Sequence, residues 1–530
     1  MTQASVNSAE PPPAAREPQA ALAGGAGVPA GADSAGAAEL AGAAELAGSA
    51  EAAGGGAEVA GGAGLAGRPA YRPVVGNGPV ERVMSTVIRK LSWSRLADPK
   101  VAVAVSGVGL LLGMVVGATA PNEETLPLRL PLSHFLPHLG ESIAAPVMLY
   151  TGNFLACLGL AGMLWAHSQG WRPDPRRLLL VSAGIVAVMV SLTPVGSSDT
   201  ASYAAYGRIA ALGGNPYATN PLRALGARSL YTIAVGNQWR STASVYGPLA
   251  TLIQRFAASV GGADATTTIW LLMVLNGLVF IGVGALLLKT SDDPIRATLF
   301  WAANPVLIQQ LVSGGHLDTF VAAAAICSIQ VARRVSGNWG DVLIGILIGL
   351  ACAVKINAIL IGIGLAWPLL RRHEWARTGR IAACALATVV IEYSFYGGPG
   401  VEMTPLRNAS SQVTWPSPWW FFDEIGKGVF GAQTSTLQLI TSLAWPVAMI
   451  AVAALVYRRI SSDQPREVVA PFALTFAWIV VAPWVLAWYT ALAWVTLTQV
   501  PRNRMTRWLT IVTVVLAFCH SSGGHIPPSH

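Results

Sequence analysis

Clusters of lysine and arginine recur along this chain at intervals that leave room for a membrane-crossing helix between neighbours. The seven clusters lie at 82–100, 172–177, 289–296, 333–334, 371–380, 458–466 and 502–507. The sequence between them is strongly apolar, and about 20 apolar residues cross a bilayer as a helix. Because cytoplasmic loops of membrane proteins collect Lys and Arg, the pattern predicts an all-α, multi-pass membrane protein whose basic loops share the cytoplasmic face.

About thirteen crossings place every basic cluster on one side, with the N-terminus in the cytoplasm. The predicted spans lie near 101–119, 144–166, 178–194, 267–288, 297–312, 317–333, 341–354, 356–370, 381–396, 435–457, 468–482, 485–499 and 508–520. This topology puts the two longest polar loops, 195–266 and 397–434, on the outer face. We therefore expect a protein of the plasma membrane that acts at its outer surface.

The composition supports this class and argues against a nucleic-acid-binding protein. Only 11% of the 530 residues are charged, against about 25% in soluble proteins. The net charge of +8 is concentrated in the predicted cytoplasmic clusters, where it favours contact with anionic membrane lipids. The five cysteines lie in apolar segments without metal-ligand spacing, so we expect no disulfide and no structural metal.

Two regions differ from the spans. Residues 1–80 are rich in Ala, Gly and Pro and hold too few large apolar side chains to form a core, which predicts a disordered cytoplasmic tail ahead of a membrane domain at 81–530. No cleavable signal peptide is expected, since the first apolar span starts near Val101. Within the first outer loop, 246–260 has apolar residues on a helical period with Arg255 opposite, which predicts a helix along the membrane surface.

The stretch 341–370 carries Lys355 and Asn357 in the middle of apolar sequence between two basic clusters. A tight helical hairpin whose tip, 354–357, reaches the outer side avoids placing the charge deep in lipid. An ionisable residue at such a place marks a functional site because its desolvation is otherwise unexplained. The alternative is a lysine that snorkels to lipid headgroups.

Asp199 begins the first outer loop, directly after the third predicted span, and Tyr203, Tyr206 and Arg208 follow at roughly helical spacing. A carboxylate at that depth can take a proton from a sugar hydroxyl and so make it a nucleophile. The alternative is that Asp199 caps the following helix, since Asp is a good N-cap residue.

Other polar and aromatic residues cluster in the outer turns. Asn215, Tyr217 and Arg240 lie in turn-forming sequence of the first loop, and such side chains suit sugars and phosphates. His316 and Asp318 lie in a short outer turn and can bind a phosphate, a hydroxyl or a divalent cation; the alternative is a helix cap. Trp484 follows Pro483 in a late outer turn, where the alternative is an interfacial aromatic belt.

These residues resemble a known family. The matching run is Ser198-Asp199, Tyr203-Ala-Ala-Tyr206-Gly-Arg208, Gly214-Asn215-Pro-Tyr217, Trp239-Arg240 and Tyr246-Gly-Pro248. It is similar to the first outer loop of actinobacterial polyprenol-phosphomannose-dependent α-1,6-mannopyranosyltransferases, which belong to the GT-C superfamily of membrane glycosyltransferases. The likeness extends through Asn304-Pro305, Gly315-His316 and Lys355 to Pro483-Trp484, over roughly 95–520. Leu317-Asp318 departs from the Asn-Glu-like pair expected there, which puts the role of Asp318 in doubt.

The resemblance implies a GT-C transmembrane domain that transfers a mannose-like sugar from a polyprenyl phosphate to a glycan or lipoglycan acceptor, with inversion. It implies that Asp199 is the catalytic base and that Lys355, Arg208 and Arg240 hold the donor phosphate. The remaining candidates would contact sugar or acceptor: Tyr203, Tyr206, Asn215, Tyr217, His316, Asp318 and Trp484. The chain has no Walker loop and no dinucleotide fingerprint, in keeping with a membrane-borne donor. No cofactor is established, and the need for a divalent cation and the oligomeric state stay open.

The main alternative is a multi-pass transporter or a flippase for lipid-linked sugars, and a second is a non-catalytic scaffold. Transporters carry internal repeats and charges near the membrane midplane. This sequence shows no clear repeat, and its polar candidates lie at the predicted outer boundary. A scaffold would not need an Asp at that helix end, so the pattern favours the transferase.

Overall fold

The computed structural model describes residues 98–119, 128–137, 144–397, 400–401, 413–460 and 465–519. All regular secondary structure in these residues is helical, and none of them lies in a strand. The all-α prediction is therefore confirmed for this part of the chain. The predicted tail at 1–80 lies outside the described residues, as does the middle of the 397–434 loop.

The α-helices are numbered here in chain order. The first ten are α1 (Pro99–Thr119), α2 (Ala144–Ser168), α3 (Pro175–Met189), α4 (Asp199–Ala211), α5 (Pro221–Leu225), α6 (Leu230–Ala234), α7 (Pro248–Gly261), α8 (Ala265–Thr290), α9 (Pro294–Phe300) and α10 (Pro305–Leu307). The others are α11 (Asp318–Arg334), α12 (Asn338–Cys352), α13 (Ile359–Arg371), α14 (Trp375–Ser394), α15 (Pro418–Phe430), α16 (Thr434–Arg459), α17 (Arg466–Val481), α18 (Thr490–Leu497) and α19 (Met505–Cys519). A π turn, Ile308–Ser313, follows α10.

Four of these helices, α1, α2, α8 and α16, are long and apolar enough to cross a bilayer. The helices α12, α13, α17 and α19 are also apolar but shorter. Helical segments occur at each of the predicted spans. The structure thus supports a membrane protein, whereas the count of thirteen crossings stays a prediction.

The helices at two of the predicted spans, 297–312 and 485–499, are interrupted, and whether these stretches cross the membrane stays a prediction. Pro305 interrupts the helix in 297–312 because it has no N–H to donate to a preceding turn. The Asn304 side chain caps the new helix by accepting from the N–H groups of Val306 and Leu307. The chain then enters the π turn, a rare conformation that is frequent at functional sites. The second is interrupted by a 3-10 turn, Ala487–Tyr489, ahead of the short α18.

The helices α1 and α2 pack closely because small residues face each other. A Cβ on Gly109 would lie 2.6 Å from the carbonyl oxygen of Gly152, so only glycine permits this approach. Small residues at such contacts are typical of membrane helices, whose association depends on close backbone packing rather than on a hydrophobic driving force. The α1–α2 pair forms the start of the bundle.

Several basic clusters meet at one end of the bundle, which we call the arginine end and define by three ion pairs. Arg502 contacts Asp293 at 3.0 Å, Arg333 contacts Asp292 at 2.9 Å and Arg372 contacts Glu467 at 2.7 Å. These pairs join segments that are far apart in sequence. The grouping agrees with the predicted common side of the basic loops, while the assignment of that side to the cytoplasm stays a prediction.

The break between α12 and α13 falls where the hairpin tip was predicted, at residues 353–358. The chain ahead of α7 holds the tip, because the N–H groups of Gly247 and Leu249 donate to the carbonyl groups of Val354 and Ala353 at 3.0 and 2.9 Å. The tip lies at the end of α12 that is remote from the arginine end. It therefore brings Lys355 to the segment 195–266.

Candidate active site

The carboxylate of Asp199 is aimed at side chains rather than at the helix backbone. Asp199 is the first residue of α4, and the N-cap position is occupied by Ser198. One oxygen, Oδ2, accepts from the hydroxyl of Tyr203 at 3.3 Å and lies 3.3 Å from Nδ1 of His316. The side chain is 22% exposed. The alternative that Asp199 serves as the N-cap is therefore wrong, and the carboxylate is accessible for chemistry.

The π turn and a glycine position His316 beside this carboxylate. The carbonyl oxygen of Gly314 accepts from the hydroxyl of Thr200 at 2.7 Å, and that of His316 accepts from the Asn276 side chain at 2.6 Å. The imidazole stacks on the Trp488 ring with a centroid distance of 3.7 Å and an angle of 13°. At 1% exposure, His316 lies behind Asp199 and is held on both its main chain and its ring.

Gly315 makes this arrangement possible, and its substitution gives a first prediction. Gly315 has φ +65, and a Cβ there would lie 2.4 Å from Oγ1 of Thr200 and 2.6 Å from Sδ of Met273. Left-handed strain costs about 1–2 kcal/mol, and overpacking adds about 1–3 kcal/mol. We expect Gly315→Ala to lower the midpoint of thermal unfolding in detergent and to displace His316.

Gly337→Ala is the matched control for this prediction. Gly337 also has a positive φ, +81, but nothing lies within 4 Å of its would-be Cβ. The control therefore carries the backbone strain without the crowding. Equal shifts of the unfolding midpoint in the two variants would contradict the argument from crowding.

A buried ion pair stands next to Asp199. Nζ of Lys355 donates to Oδ2 of Asp318 at 2.8 Å, and the two side chains are 14% and 6% exposed. The ammonium also lies 4.2 Å from the ring centroid of Tyr489, a cation–π contact. Lys355 thus does not snorkel. Asp318 starts α11 without capping it, because the N-cap residue is Leu317 and no side-chain cap bond forms. The alternatives of a snorkelling Lys355 and of a helix-capping Asp318 are therefore both wrong.

Three tyrosines line the other side of the carboxylate. The rings of Tyr203 and Tyr246 meet edge to face at 4.9 Å, and Tyr206 packs on Tyr246 at 6.5 Å while its hydroxyl donates to the carbonyl of Thr242 at 3.0 Å. Burial raises the pKa of Tyr203 well above its ordinary value. Its hydroxyl therefore stays protonated, and it is the donor in the hydrogen bond with Asp199.

The charges of the cluster are set by these contacts. Burial raises the pKa of Asp199, but the contact with His316, the charge of Lys355 and the Tyr203 hydroxyl outweigh it and hold the pKa below its ordinary value. Burial lowers the pKa of Lys355, but Asp318 outweighs this effect and raises the pKa above its ordinary value. At neutral pH the site therefore holds an ionised carboxylate beside a protonated lysine.

Two of the predicted phosphate-binding arginines are not brought to this cluster. Arg208 lies nine residues after Asp199 on α4, which is about 13 Å along the axis, and its guanidinium stands over the ring of Tyr231 at 6.0 Å. Arg240 donates to the carbonyl groups of Val235 and Ile233 at 2.9 and 2.7 Å. Both contacts shape the first loop, so the phosphate role of these arginines stays a prediction.

Asn215 and Tyr217 also serve the loop. The Asn215 side chain donates to the carbonyl of Tyr396 at 2.7 Å and accepts from the N–H of Tyr217 at 2.9 Å. The hydroxyl of Tyr217 is buried 2.7 Å from Oγ1 of Thr251. These contacts fasten the loop to α7 and to the end of α14, and the predicted sugar contacts of both residues stay untested.

Sequence reasoning gave no site role to Tyr246, Trp488 or Tyr489. Trp488 is buried and stacked on His316, and the ring of Tyr489 lies 4.2 Å from Nζ of Lys355. Trp484 reaches the site through a side-chain hydrogen bond with Tyr489. The signal that could have found Trp488 and Tyr489 is the Pro483 break, which directs these rings back towards the bundle.

Three buried polar atoms near the cluster make no hydrogen bond among the described residues. They are Nδ1 of His316, whose contact with Asp199 is close but poorly angled, Oδ1 of Asn357 and Nε1 of Trp488. Each unmet group costs about 1–3 kcal/mol, and a hydroxyl group of a ligand would satisfy Oδ1 of Asn357. Within the same residues, no three His, Cys, Asp or Glu side chains converge as a metal site; the predicted option of a divalent cation stays untested.

Comparisons with known proteins point to one family. A family profile described as "Alpha-(1->6)-mannopyranosyltransferase, N-terminal domain" matches residues 101–371, just over half of the 530 residues. The chain is 25% identical over 453 residues to alpha-(1->6)-mannopyranosyltransferase B of Corynebacterium glutamicum, covering 76% of this chain and 72% of that protein. It is 25% identical over 380 residues to alpha-(1->6)-mannopyranosyltransferase A of Mycobacterium tuberculosis, covering 66% and 71%.

A further relative matches over a shorter stretch. A probable alpha-(1->6)-mannopyranosyltransferase of Mycolicibacterium smegmatis is 28% identical over 208 residues, which is 38% of this chain and 33% of that protein. The match thus spans about a third of the relative's length. No solved structure is significantly similar to the chain. The matched family region contains Asp199, His316, Asp318 and Lys355.

Proposed function

Because the chain belongs to the alpha-(1->6)-mannopyranosyltransferase family, we propose that it transfers mannose from a polyprenyl phosphate to a glycan or lipoglycan acceptor at the outer membrane face, forming an α-1,6 linkage. The observation that carries this proposal is the cluster at the start of α4. It places the ionised Asp199 carboxylate beside the protonated Lys355. Sugar transfer from a phosphate ester uses a base to accept the proton of the acceptor hydroxyl and a cation to stabilise the departing phosphate.

The proposed reaction is a single displacement. Asp199 accepts the proton of an acceptor hydroxyl, and that oxygen forms a bond to the anomeric carbon as the bond to the donor phosphate breaks. The electron pair of the broken bond leaves on polyprenyl phosphate, whose charge Lys355 stabilises. One displacement inverts the anomeric configuration, so a β-linked donor gives an α-linked product.

The other members of the cluster orient these two groups. The Tyr203 hydroxyl donates to the Asp199 carboxylate, and His316 fixes it from behind without reaching the substrate. Asn357, whose Oδ1 lacks a partner among the described residues, accepts a hydrogen bond from a sugar hydroxyl. Arg208 and Arg240 gain no support from the structure as phosphate ligands, so this role rests on Lys355.

The proposed orientation follows from the two ends of the bundle. The arginine end faces the cytoplasm, in keeping with the location of basic loops, and the Asp199 cluster at the other end faces outwards. A polyprenyl phosphate supplies the donor sugar from within the membrane. The protein is then a multi-pass enzyme of the plasma membrane.

Transfer by the purified protein tests this function. The full chain is reconstituted in lipid nanodiscs with radiolabelled polyprenyl phosphomannose or GDP-mannose as the donor and an α-1,6-linked oligomannoside as the acceptor. We expect label in an extended oligomannoside with the lipid donor alone. Translocation of the lipid donor without transfer would support the flippase alternative, and no transfer from any polyprenyl phosphosugar would overturn the proposal.

The contact between His316 and Asp199 predicts a change in the pH dependence of transfer. His316 lowers the pKa of Asp199, whereas burial raises it, so His316→Gln raises that pKa. A general base acts when ionised, and activity is lost as the pH falls through its pKa. We expect the acid limb of kcat/KM to move to higher pH, measured between pH 4 and pH 8.

Other groups also face Asp199, and they define the control. Lys355 and Tyr203 lower the pKa of Asp199 as well, and they are unchanged in His316→Gln. Trp488→Phe keeps an aromatic ring against His316, so its acid limb should match that of the wild type. An unchanged acid limb in a folded His316→Gln variant would show that His316 has only a structural role.

A further inference from the structure

The arginine end contains a cavity that is separate from the Asp199 cluster. Its volume is about 360 Å³, and it lies between α11, α12, α13, α14 and the start of α17. The helix α12 connects the two regions: it starts near the cavity and ends next to Lys355, and its 15 residues span about 22 Å. The cavity therefore has no part in the chemistry proposed above.

The floor of the cavity is apolar. Ile344, Leu365 and Val468 line it, and their exposures are 2%, 5% and 1%. A small soluble anion gains nothing from such a floor, since its charge prefers water. A ligand with an apolar portion would bury that portion here.

The rim of the cavity carries arginine side chains. Arg333, Arg372 and Arg377 line it together with a single carboxylate, Glu467. Asp341, whose side chain is 1% exposed, is already bound by both Arg377 and Arg380 at 3.1 and 2.7 Å. Arg333 and Arg377 also pair with carboxylates that do not line the cavity, Asp292 and Glu374, so the rim has no excess charge, but its guanidinium groups can bind phosphate oxygens with good geometry.

Arg372 is the rim residue best able to accept a new partner. Its side chain is 51% exposed, and it contacts only partly exposed carboxylates, Glu374 at 3.2 Å and Glu467 at 2.7 Å. Ion pairs between exposed groups contribute little free energy. A phosphate can thus replace them at small cost.

From this combination we infer that the cavity binds the phosphate headgroup of an anionic phospholipid, with the start of an acyl chain on its apolar floor. Basic pockets between membrane helices on the cytoplasmic side bind anionic lipid headgroups in this way. The rim supplies the guanidinium group of Arg372, whose partly exposed ion pairs a phosphate can replace, and the floor supplies the apolar contact. A free phosphate ester shares only the first of these interactions.

Native mass spectrometry of the full chain in a neutral detergent tests the inference. The probes are phosphatidylglycerol, phosphatidylcholine and soluble glycerol 3-phosphate. We expect phosphatidylglycerol to remain bound while the other two do not. Equal retention of phosphatidylcholine would overturn the inference, and so would saturation by glycerol 3-phosphate at the same concentration, which would indicate a site for free phosphates.

Three variants distinguish lipid binding in the cavity from lipid binding to positive charges elsewhere on the surface. Arg372→Gln removes a rim charge but leaves Asp341 paired, and it should weaken phosphatidylglycerol binding about fivefold. Glu467→Gln removes the competing carboxylate and should strengthen binding. Arg459→Gln is the matched control, because Arg459 ends α16 and does not line the cavity; a loss equal to that of Arg372→Gln would overturn the inference. Lipid binding is measured without donor or acceptor, so its failure is distinct from that of the proposed transfer.

Discussion

Asp199→Asn is expected to lower the rate of transfer by about three orders of magnitude while the protein stays folded. An amide cannot accept the proton of the acceptor hydroxyl, and a general base contributes about 10²–10⁴-fold to the rate. Asn is close in size to Asp and can still accept from the Tyr203 hydroxyl, which donates to Oδ2 in the wild type. The loss should therefore appear in kcat, with a small change in KM for the donor. Single-turnover transfer from polyprenyl phosphomannose measures it.

The first loop offers a matched control in Asp264→Asn. Asp264 lies on the same loop but is the N-cap residue of α8, and its carboxylate accepts from the N–H groups of Thr266 and Thr267 at 2.9 and 3.1 Å. Asn is an equally good N-cap residue, so this variant should retain wild-type transfer. If Asp199→Asn keeps more than about a tenth of the activity, another group must act as the base.

The general architecture could be predicted from the sequence because the membrane imposes simple rules. Apolar stretches between basic clusters predict helices, and helices occur at each of those places. A charge in apolar sequence marks a functional site, and this rule identified Lys355. The break around Lys355 was also predictable, since a single helix would bury the charge in lipid.

The internal breaks of two helices were less accessible from sequence. The apolar content of 297–312 suggests one span, but Pro305 and the capping side chain of Asn304 end one helix and start another. The π turn that follows depends on contacts with a distant segment: the N–H of Val195 donates to the carbonyl of Ser313 at 3.2 Å. Local patterns do not contain such contacts.

The contacts between the site residues could not be predicted from the sequence either, because they join segments that are far apart in the chain. Asp199 lies on α4 and His316 lies in the turn ahead of α11, and their contact depends on the left-handed Gly315 and on the Trp488 ring. The sequence did not predict that His316 would be buried against the carboxylate, and its predicted contact with sugar or acceptor stays untested. The partner of Lys355 was not foreseen either, because Asp318 resembled a helix cap.

The ion pair between Lys355 and Asp318 gives the second large prediction. Lys355→Met is expected to lower kcat/KM for the lipid donor by about 10²–10³-fold, because the charge on the departing phosphate loses its stabilising group. The same change leaves Asp318, which is 6% exposed, without a counter-ion. Loss of one partner of a buried pair costs about 3–5 kcal/mol of stability. The single variant alone therefore mixes an effect on catalysis with an effect on folding.

A double-mutant cycle separates the two effects. Asp318→Asn removes the buried charge, so Lys355→Met combined with Asp318→Asn should recover the thermal stability that Lys355→Met loses. If Lys355 binds the donor phosphate, transfer stays as low in the double variant as in Lys355→Met. If Lys355 only neutralises Asp318, transfer returns together with stability, and the phosphate role is wrong. Asp318→Asn alone completes the cycle: it leaves Lys355 beside Tyr489 without its buried counter-ion, so it should also lose stability, and the coupling between the two changes is read from all four proteins.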